Sequence, residues 1–245
     1  MERVAFLLAI LSAGITGVTP IPTAAQITSD GRSSAVSRSL AAVLNGMDQA
    51  APRFRSMAAK LEYTKVTVIV DDHSTERGSI YFDKQNGKTR MMIAFQDPAE
   101  KYVLFEEGKV SIYRPRIAEV QEYELSDKQG LVEEFLLLGF GTAGEELRKS
   151  YNVSLNGEEA LDGQKTFHLK LDPKSQNISS RLQSIELWIS PDSWQPLQQK
   201  FFEPSGDYLI ARYADLKVNE SIPSKNFRLP LKGKVRTVRP QKPNN

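Results

Sequence analysis

Two histidines, the adjacent carboxylates Glu106-Glu107 and Glu133-Glu134, and one glycine-rich run are candidates for chemistry in this 245-residue chain. His73 follows Asp71 and Asp72, and His168 lies between Phe167 and Leu169. The histidines are distant from each other and lack further ligands at metal-binding spacing, so they read as surface or strand residues, and no metal site is expected. Glu106-Glu107 and Glu133-Glu134 offer the types needed for an acid and a base. Neighbours on a strand point to opposite faces, and neighbours on a helix diverge by about 100°, so neither pair makes a dyad. No serine sits in a Gly-x-Ser-x-Gly elbow. The run Gly139-Phe140-Gly141-Thr142-Ala143-Gly144 lacks the Lys-Ser/Thr ending and the preceding strand of a phosphate loop, and reads as a helix break. Asn152, Asn177 and Asn219 open glycosylation-type triplets, which are common by chance. Trp188 and Trp194 bracket a turn at Pro191-Asp192 and read as strand-end packing residues. Cysteine is absent, which excludes a disulfide framework, a thiolate metal site and a cysteine nucleophile together. The expectation is a binding protein without catalysis and without a cofactor.

The elements that must build such a site are mostly strands. Arg77–Phe82, Thr89–Phe95, Tyr102–Phe105, Val110–Arg114 and Val120–Tyr123 are short runs rich in β-branched and aromatic residues, separated by turns. Leu61–Val70 reads as a longer strand before them, with Val66, Val68 and Val70 on one side. A second series follows at Asn152–Leu155, Lys165–Leu171, Gln183–Ile189, Gln198–Phe202 and Tyr208–Val218, with a last stretch near Phe227. Asn156-Gly157 and Asp162-Gly163 are both tight-turn signals. Several runs are apolar on both faces, more than a sheet with one solvated face requires. Ahead of the strands, Val36, Leu40, Val43, Leu44 and Met47 make one helical stripe, capped at Ser33 or Ser34 and ended near Pro52. Between the two series, Leu131, Val132, Phe135, Leu136 and Leu138 form an apolar helix face, interrupted by Gly139, Gly141 and Gly144. The fold class is α+β: an open, strongly curved antiparallel sheet, or unclosed barrel, with helices covering its concave face.

Residues 1–25 read as a secretory signal peptide: Val4–Val18 is almost wholly apolar, and Thr23-Ala24-Ala25 suits cleavage after Ala25. A membrane anchor is the other reading, and the run is short for a span. The expected product is an exported, periplasmic chain whose residues 26–238 form one domain. The formal charge is +2. Lys232, Lys234, Arg236, Arg239 and Lys242 are uninterrupted by an acid, and residues 239–245 read as a flexible basic tail. The cations are not interleaved with stacking aromatics, so nucleic acid is not an expected partner.

In order along the chain, Gly78-Ser79-Ile80-Tyr81-Phe82, Asp97-Pro98, Val103–Tyr113, Leu187-Trp188-Ile189-Ser190-Pro191-Asp192 and Ser224–Pro230 resemble the landmarks of the LolA-type outer-membrane lipoprotein carrier and sorting proteins. The resemblance spans most of the mature chain. It implies an unclosed barrel whose cavity receives the acyl chains of lipoproteins from an inner-membrane releasing transporter and passes them to an outer-membrane receptor, the carrier acting as a monomer without chemical reaction. Other readings are a shuttle for another lipid (a glycolipid or a polyene) and an envelope-stress sensor with a similar half-barrel. Family members often place Arg-Pro after the strand that ends here at Phe82. This chain has Asp83-Lys84-Gln85, so Lys84 is the nearest basic match at the rim. Strand alternation selects Ile80, Phe82, Met91, Ile93, Phe95, Leu104 and Ile112 for the cavity wall. Leu131, Phe135, Leu136 and Leu138 are expected either to act as a lid over it or to be a fixed core helix.

Overall fold

The computed structural model describes residues 39–85, 88–125 and 137–239. The signal segment, Val36, Leu131, Phe135, Leu136 and the last six residues lie outside them.

Leu40, Val43, Leu44 and Met47 recur at spacings of three, one and three, and they turn one face of helix α1 (Leu40–Ala50) into the core. Ser39, extended in backbone, accepts the Ala42 N–H on its side-chain oxygen and caps the helix start. A single 3₁₀ turn, Ala51–Arg53 with Pro52 inside it, ends the helix and leads into the sheet.

The first strand series is β1 (Ser56–Thr67), β2 (Asp72–Gln85), β3 (Lys88–Asp97), β4 (Lys101–Glu106), β5 (Lys109–Arg114) and β6 (Glu119–Glu124). After helix α2 (Gly144–Ser150) come β7 (Tyr151–Leu161), β8 (Gln164–Pro173), the single turn α3 (Gln176–Ser179), β9 (Ser184–Ile189), β10 (Pro196–Phe202), β11 (Tyr208–Val218) and β12 (Arg236–Val238). All twelve strands form one sheet in the order β12-β6-β5-β4-β3-β2-β1-β11-β10-β9-β8-β7. The two meanders join where β1 pairs with β11, and β7 and β12 never meet, so the barrel stays open. Every ladder is antiparallel except β12 on β6.

Turn chemistry separates look-alike signals. Asp162-Gly163 and Glu107-Gly108 both have positive φ at their two positions (50° and 78°, 51° and 75°) and close two-residue hairpins. Asn156-Gly157, expected to be a turn, instead lies inside β7. The register shifts there between Leu155 and Gly157, and Gly157 takes a φ of 130°, so the dipeptide makes a bulge. The strand expected to run to Val70 stops at Thr67. Val68–Val70 is a 3₁₀ corner with all three side chains exposed, and Asp71 at φ 51° closes it. Near Phe227 there is a 3₁₀ turn, Ser224–Phe227, in place of a strand.

The inner face carries the large core, formed by residues of both meanders with Val43, Leu44 and Met47 of α1, Leu138, Phe140 and Leu147. A smaller cluster on the outer face seats Ile222, Phe227 and Leu229 of the C-terminal segment on Met92, Tyr81, Tyr102 and Leu104. Beneath it, Arg90 forks onto Asp83 (Nε 3.0 Å, Nη2 2.7 Å) and lies over the Phe227 ring. The C-terminal segment then reaches the sheet edge. Arg236 pairs with buried Glu119, and Arg239 Nε donates to Glu122 at 2.9 Å.

Hydrogen bonds from Gln121 and Arg236 hold the Glu119 carboxyl below its ordinary range. A carboxylate depressed by folding stabilises above its unfolded value, and that stabilisation is lost as pH falls through the lower folded value. Docking of β12 should therefore weaken below about pH 4. Glu119→Gln should reproduce this at neutral pH, seen as faster amide exchange across Arg236–Val238. Unchanged exchange would show that backbone pairing alone holds the strand.

Candidate ligand-binding cleft

Strand pairing aligns the inward residues into rows. Ile80, Ile93, Val103 and Ile112 stand opposite one another across four strands, as do Phe82, Met91, Phe105 and Val110. Ile80, Phe82, Met91, Ile93, Phe95 and Ile112, six of the seven residues chosen by alternation, therefore share the inner core. Leu104 is a correction. It pairs with Met92 and Ser111 and packs on the outer face against the C-terminal segment. Phe95 pairs with Lys101, so the inward positions of β4 are Lys101, Val103 and Phe105. Tyr102-Val103-Leu104-Phe105 is apolar on both faces because both are covered, and that hid the parity.

Helix α1 and the segment around Phe140 fill the middle of the concave face. A cleft of about 570 Å³ opens beside them, where the turn before β1, the end of β2 and the start of β3 meet. Its walls include Phe54, Phe82, Leu137, Phe140, Lys84 and Thr89. Phe54 stacks on Phe82 (centroids 5.5 Å apart) and lies 6.3 Å from Phe140, which meets Tyr213 edge-on at 4.9 Å. Gly141 permits this closeness. Its φ is +61°, and a Cβ there would stand 2.5 Å from Phe54. Gly141 N–H donates to Gln195 Oε1 (2.8 Å), Gly139 N–H to Thr142 Oγ1 (3.1 Å), and Gln199 to the Leu138 carbonyl. The glycine run is thus hydrogen-bonded beside the cleft, and Leu138 is buried in the core, 2% exposed. The other proposed lid residues fall outside the described residues.

Lys84 continues the inward row of Ile80 and Phe82 by one more pleat, is exposed, and has Thr89 as its cross-strand partner. Arg55 is held by its own turn, with Nη1 donating to the carbonyls of Pro52 (2.6 Å) and Phe54 (2.9 Å). The opposite end of the inner face is polar. Lys101 pairs with Glu76 at 2.7 Å and lies over the Phe95 ring, and burial lowers its affinity for a proton. Burial likewise pushes the Tyr63 phenol upward.

On the outer face, His168, Trp188, Gln198, Arg212, Glu62, Arg77 and Asp97 stand in register across seven strands. His168 stacks on Trp188 (4.3 Å), and Glu159 receives Trp188 Nε1 and His168 Nδ1, each at 2.7 Å. The indole bond, then the histidine, hold the Glu159 carboxyl low. A second cleft, about 520 Å³, lies along this row. Among the described residues no group of three or more His, Cys, Asp or Glu could hold a metal ion, and no helix is long and apolar enough to cross a membrane. Sequence reasoning missed the wall residues Phe54 and Phe140, since the first follows a helix end and the second sits in a glycine-rich turn. An aromatic flanked by glycines was the available signal.

A family model described as an uncharacterized protein matches residues 87–238. No curated protein matches the chain. Among solved structures, MucB is 19% identical over 80% of this chain and 65% of its own, with a TM-score of 0.52. An uncharacterized conserved protein from Thermus thermophilus is 15% identical over 81% of this chain and 97% of its own, with a TM-score of 0.50. The LolA superfamily protein NE2245 from Nitrosomonas europaea also matches, at 16% identity over 78% and 98% of the two chains, with a TM-score of 0.35. The chain spans less than two thirds of the MucB length. The first two likenesses identify the fold, the open half-barrel.

Proposed function

The chain belongs to the uncharacterized-protein family whose model spans residues 87–238, its fold is LolA-like, and we propose that it is a periplasmic carrier that binds the acyl chains of lipoproteins. The observation that carries this reading is the aromatic-walled cleft at the open end of the inward apolar rows. Its volume of about 570 Å³ falls within the range of small-ligand pockets, roughly 300–1,000 Å³. Burying an acyl chain is worth about 0.8 kcal/mol per methylene, of order 10 kcal/mol for a long chain. A carrier must offset most of that cost without exceeding it, or the cargo never leaves. In this reading cargo comes from an inner-membrane transporter and passes to an outer-membrane receptor, and the protein's whole contribution is shielding apolar surface from water.

The test is a fluorescent diacylglyceryl peptide, neutral at its lipid end, titrated into wild type and Thr89→Trp. Thr89 lines the cleft and is only half-buried, so an indole there should fill the cleft without disturbing the core. Affinity should fall at least tenfold, with the melting temperature within a few degrees of wild type. Full affinity in Thr89→Trp places the acyl chain elsewhere. Loaded protein should also surrender the peptide to acceptor vesicles. Binding without transfer would favour a sensor over a carrier.

A further inference from the structure

The acyl-binding reading rests on the tail of the ligand and does not rank lipids whose head groups differ in charge from the neutral diacylglyceryl end, and the charges at the mouth of the cleft bear on that ranking. Ten described residues line it, and the charged ones are Arg55 and Lys84, with no carboxylate among them. This is a property of the place, because the outer-face cleft sets Lys60, Arg77 and Arg212 among Glu62, Asp97, Asp162 and Asp215. There every cation has a carboxylate partner: Lys60 pairs with Asp215, Arg77 with Glu62 and Asp97, and Arg212 with Asp162.

Among the described residues, two acids close to Lys84 are turned away or occupied. Asp83 alternates to the outer face, is almost fully buried, and is forked by Arg90. Glu107, near the start of β3, is taken by Lys88 at 2.9 Å. Lys84 stands one pleat beyond Phe82, so its stem extends the apolar wall while its ammonium reaches water at the mouth. Arg55 spends Nη1 on two backbone carbonyls, which fixes the guanidinium and leaves further N–H donors. The Thr89 hydroxyl, opposite Lys84, is a third polar group at the same level.

We propose that the cleft selects anionic amphiphiles: an acyl chain against Phe54, Phe82 and Phe140, and a carboxylate or phosphate head at Lys84 and Arg55. The inference rests on the acyl-binding reading. The tail supplies affinity, and the two cations supply selectivity, since exposed ion pairs are individually weak and screened by salt.

Palmitate, hexadecyl phosphate, hexadecanol and hexadecyltrimethylammonium, all below their micelle concentrations, should be compared as competitors of the fluorescent diacylglyceryl peptide. Both anions should bind about tenfold more tightly than the alcohol at low salt, and the cation least. The advantage should shrink toward unity at 1 M salt. Lys84→Glu, at an exposed position and with its melting temperature checking the fold, takes the two charged lining positions from +2 to zero and should remove the preference for anion over cation. Inorganic phosphate alone should displace nothing; its displacing the anions would indicate a free-anion site and overturn the proposal. Equal affinity for the alcohol and both anions, or an unchanged order in Lys84→Glu, overturns the head-group assignment while leaving acyl binding intact. Failure of all four probes to compete, with the peptide itself unbound, removes the acyl-binding reading as well.

Discussion

Ile93→Glu is expected to yield no folded protein at 25 °C. Ile93 is 2% exposed and sits mid-row, opposite Ile80 on one side and Val103 on the other. Removing the aliphatic side chain alone costs about 2–5 kcal/mol. A carboxylate without a charge partner adds several kcal/mol more, or takes up a proton to avoid it. The sum is comparable with the whole stability of a domain, roughly 5–15 kcal/mol. Ile93→Val, which deletes one methylene, should cost only about 0.5–1.5 kcal/mol and keep a cooperative transition. From sequence, Ile93→Glu looks like a test of ligand uptake; at this depth it tests the core. A urea transition for Ile93→Glu close to wild type would contradict the inner-row register.

Gly78→Ala should be the most damaging of the small substitutions, costing about 3 kcal/mol or more. The β2–β3 pairing slips between Arg77 and Gly78, and the backbone of β3 closes over the glycine. A Cβ there would lie 2.0 Å from the Ala94 carbonyl oxygen and 2.7 Å from Phe95 Cα. Both are backbone atoms, so no rotamer change relieves the clash and the two strands must part. Gly141→Ala meets a flexible neighbour, Phe54, but carries the added strain of a positive φ. Its effect should include loss of the Phe54–Phe82 stack. Denaturant midpoints measure the first, and an unchanged midpoint for Gly78→Ala would mean that the slip is absent.

What was legible in the sequence was whatever local patterning determines. The strand series, the α1 stripe and the Asp162-Gly163 hairpin follow from period, composition and turn residues alone. Asn156-Gly157 carries the same turn signal, but Leu161 pairs with Gln164, so only one of the two dipeptides could be the hairpin. Leu104 was misplaced because the strand is apolar on both sides, and its outer cover, Ile222 and Phe227, comes from more than a hundred residues away. No local pattern encodes such a contact. Val68–Val70 has strand composition yet turns a corner, where tertiary geometry overrides propensity. The cleft was half visible. Phe82 and Lys84 lie on a readable row, whereas Phe54 and Phe140 reach it only through the folded turn and the glycine at 141.

We propose that the cleft carries acyl chains in the cell. The most direct test is to extract the protein from the envelope without detergent, purify it natively, and identify bound molecules by lipid and peptide mass spectrometry. Acylated species should be recovered at close to one per protein and be lost selectively in Thr89→Trp. Recovery of wild type with no acyl chain bound, under conditions in which a known lipid carrier retains its cargo, would contradict it.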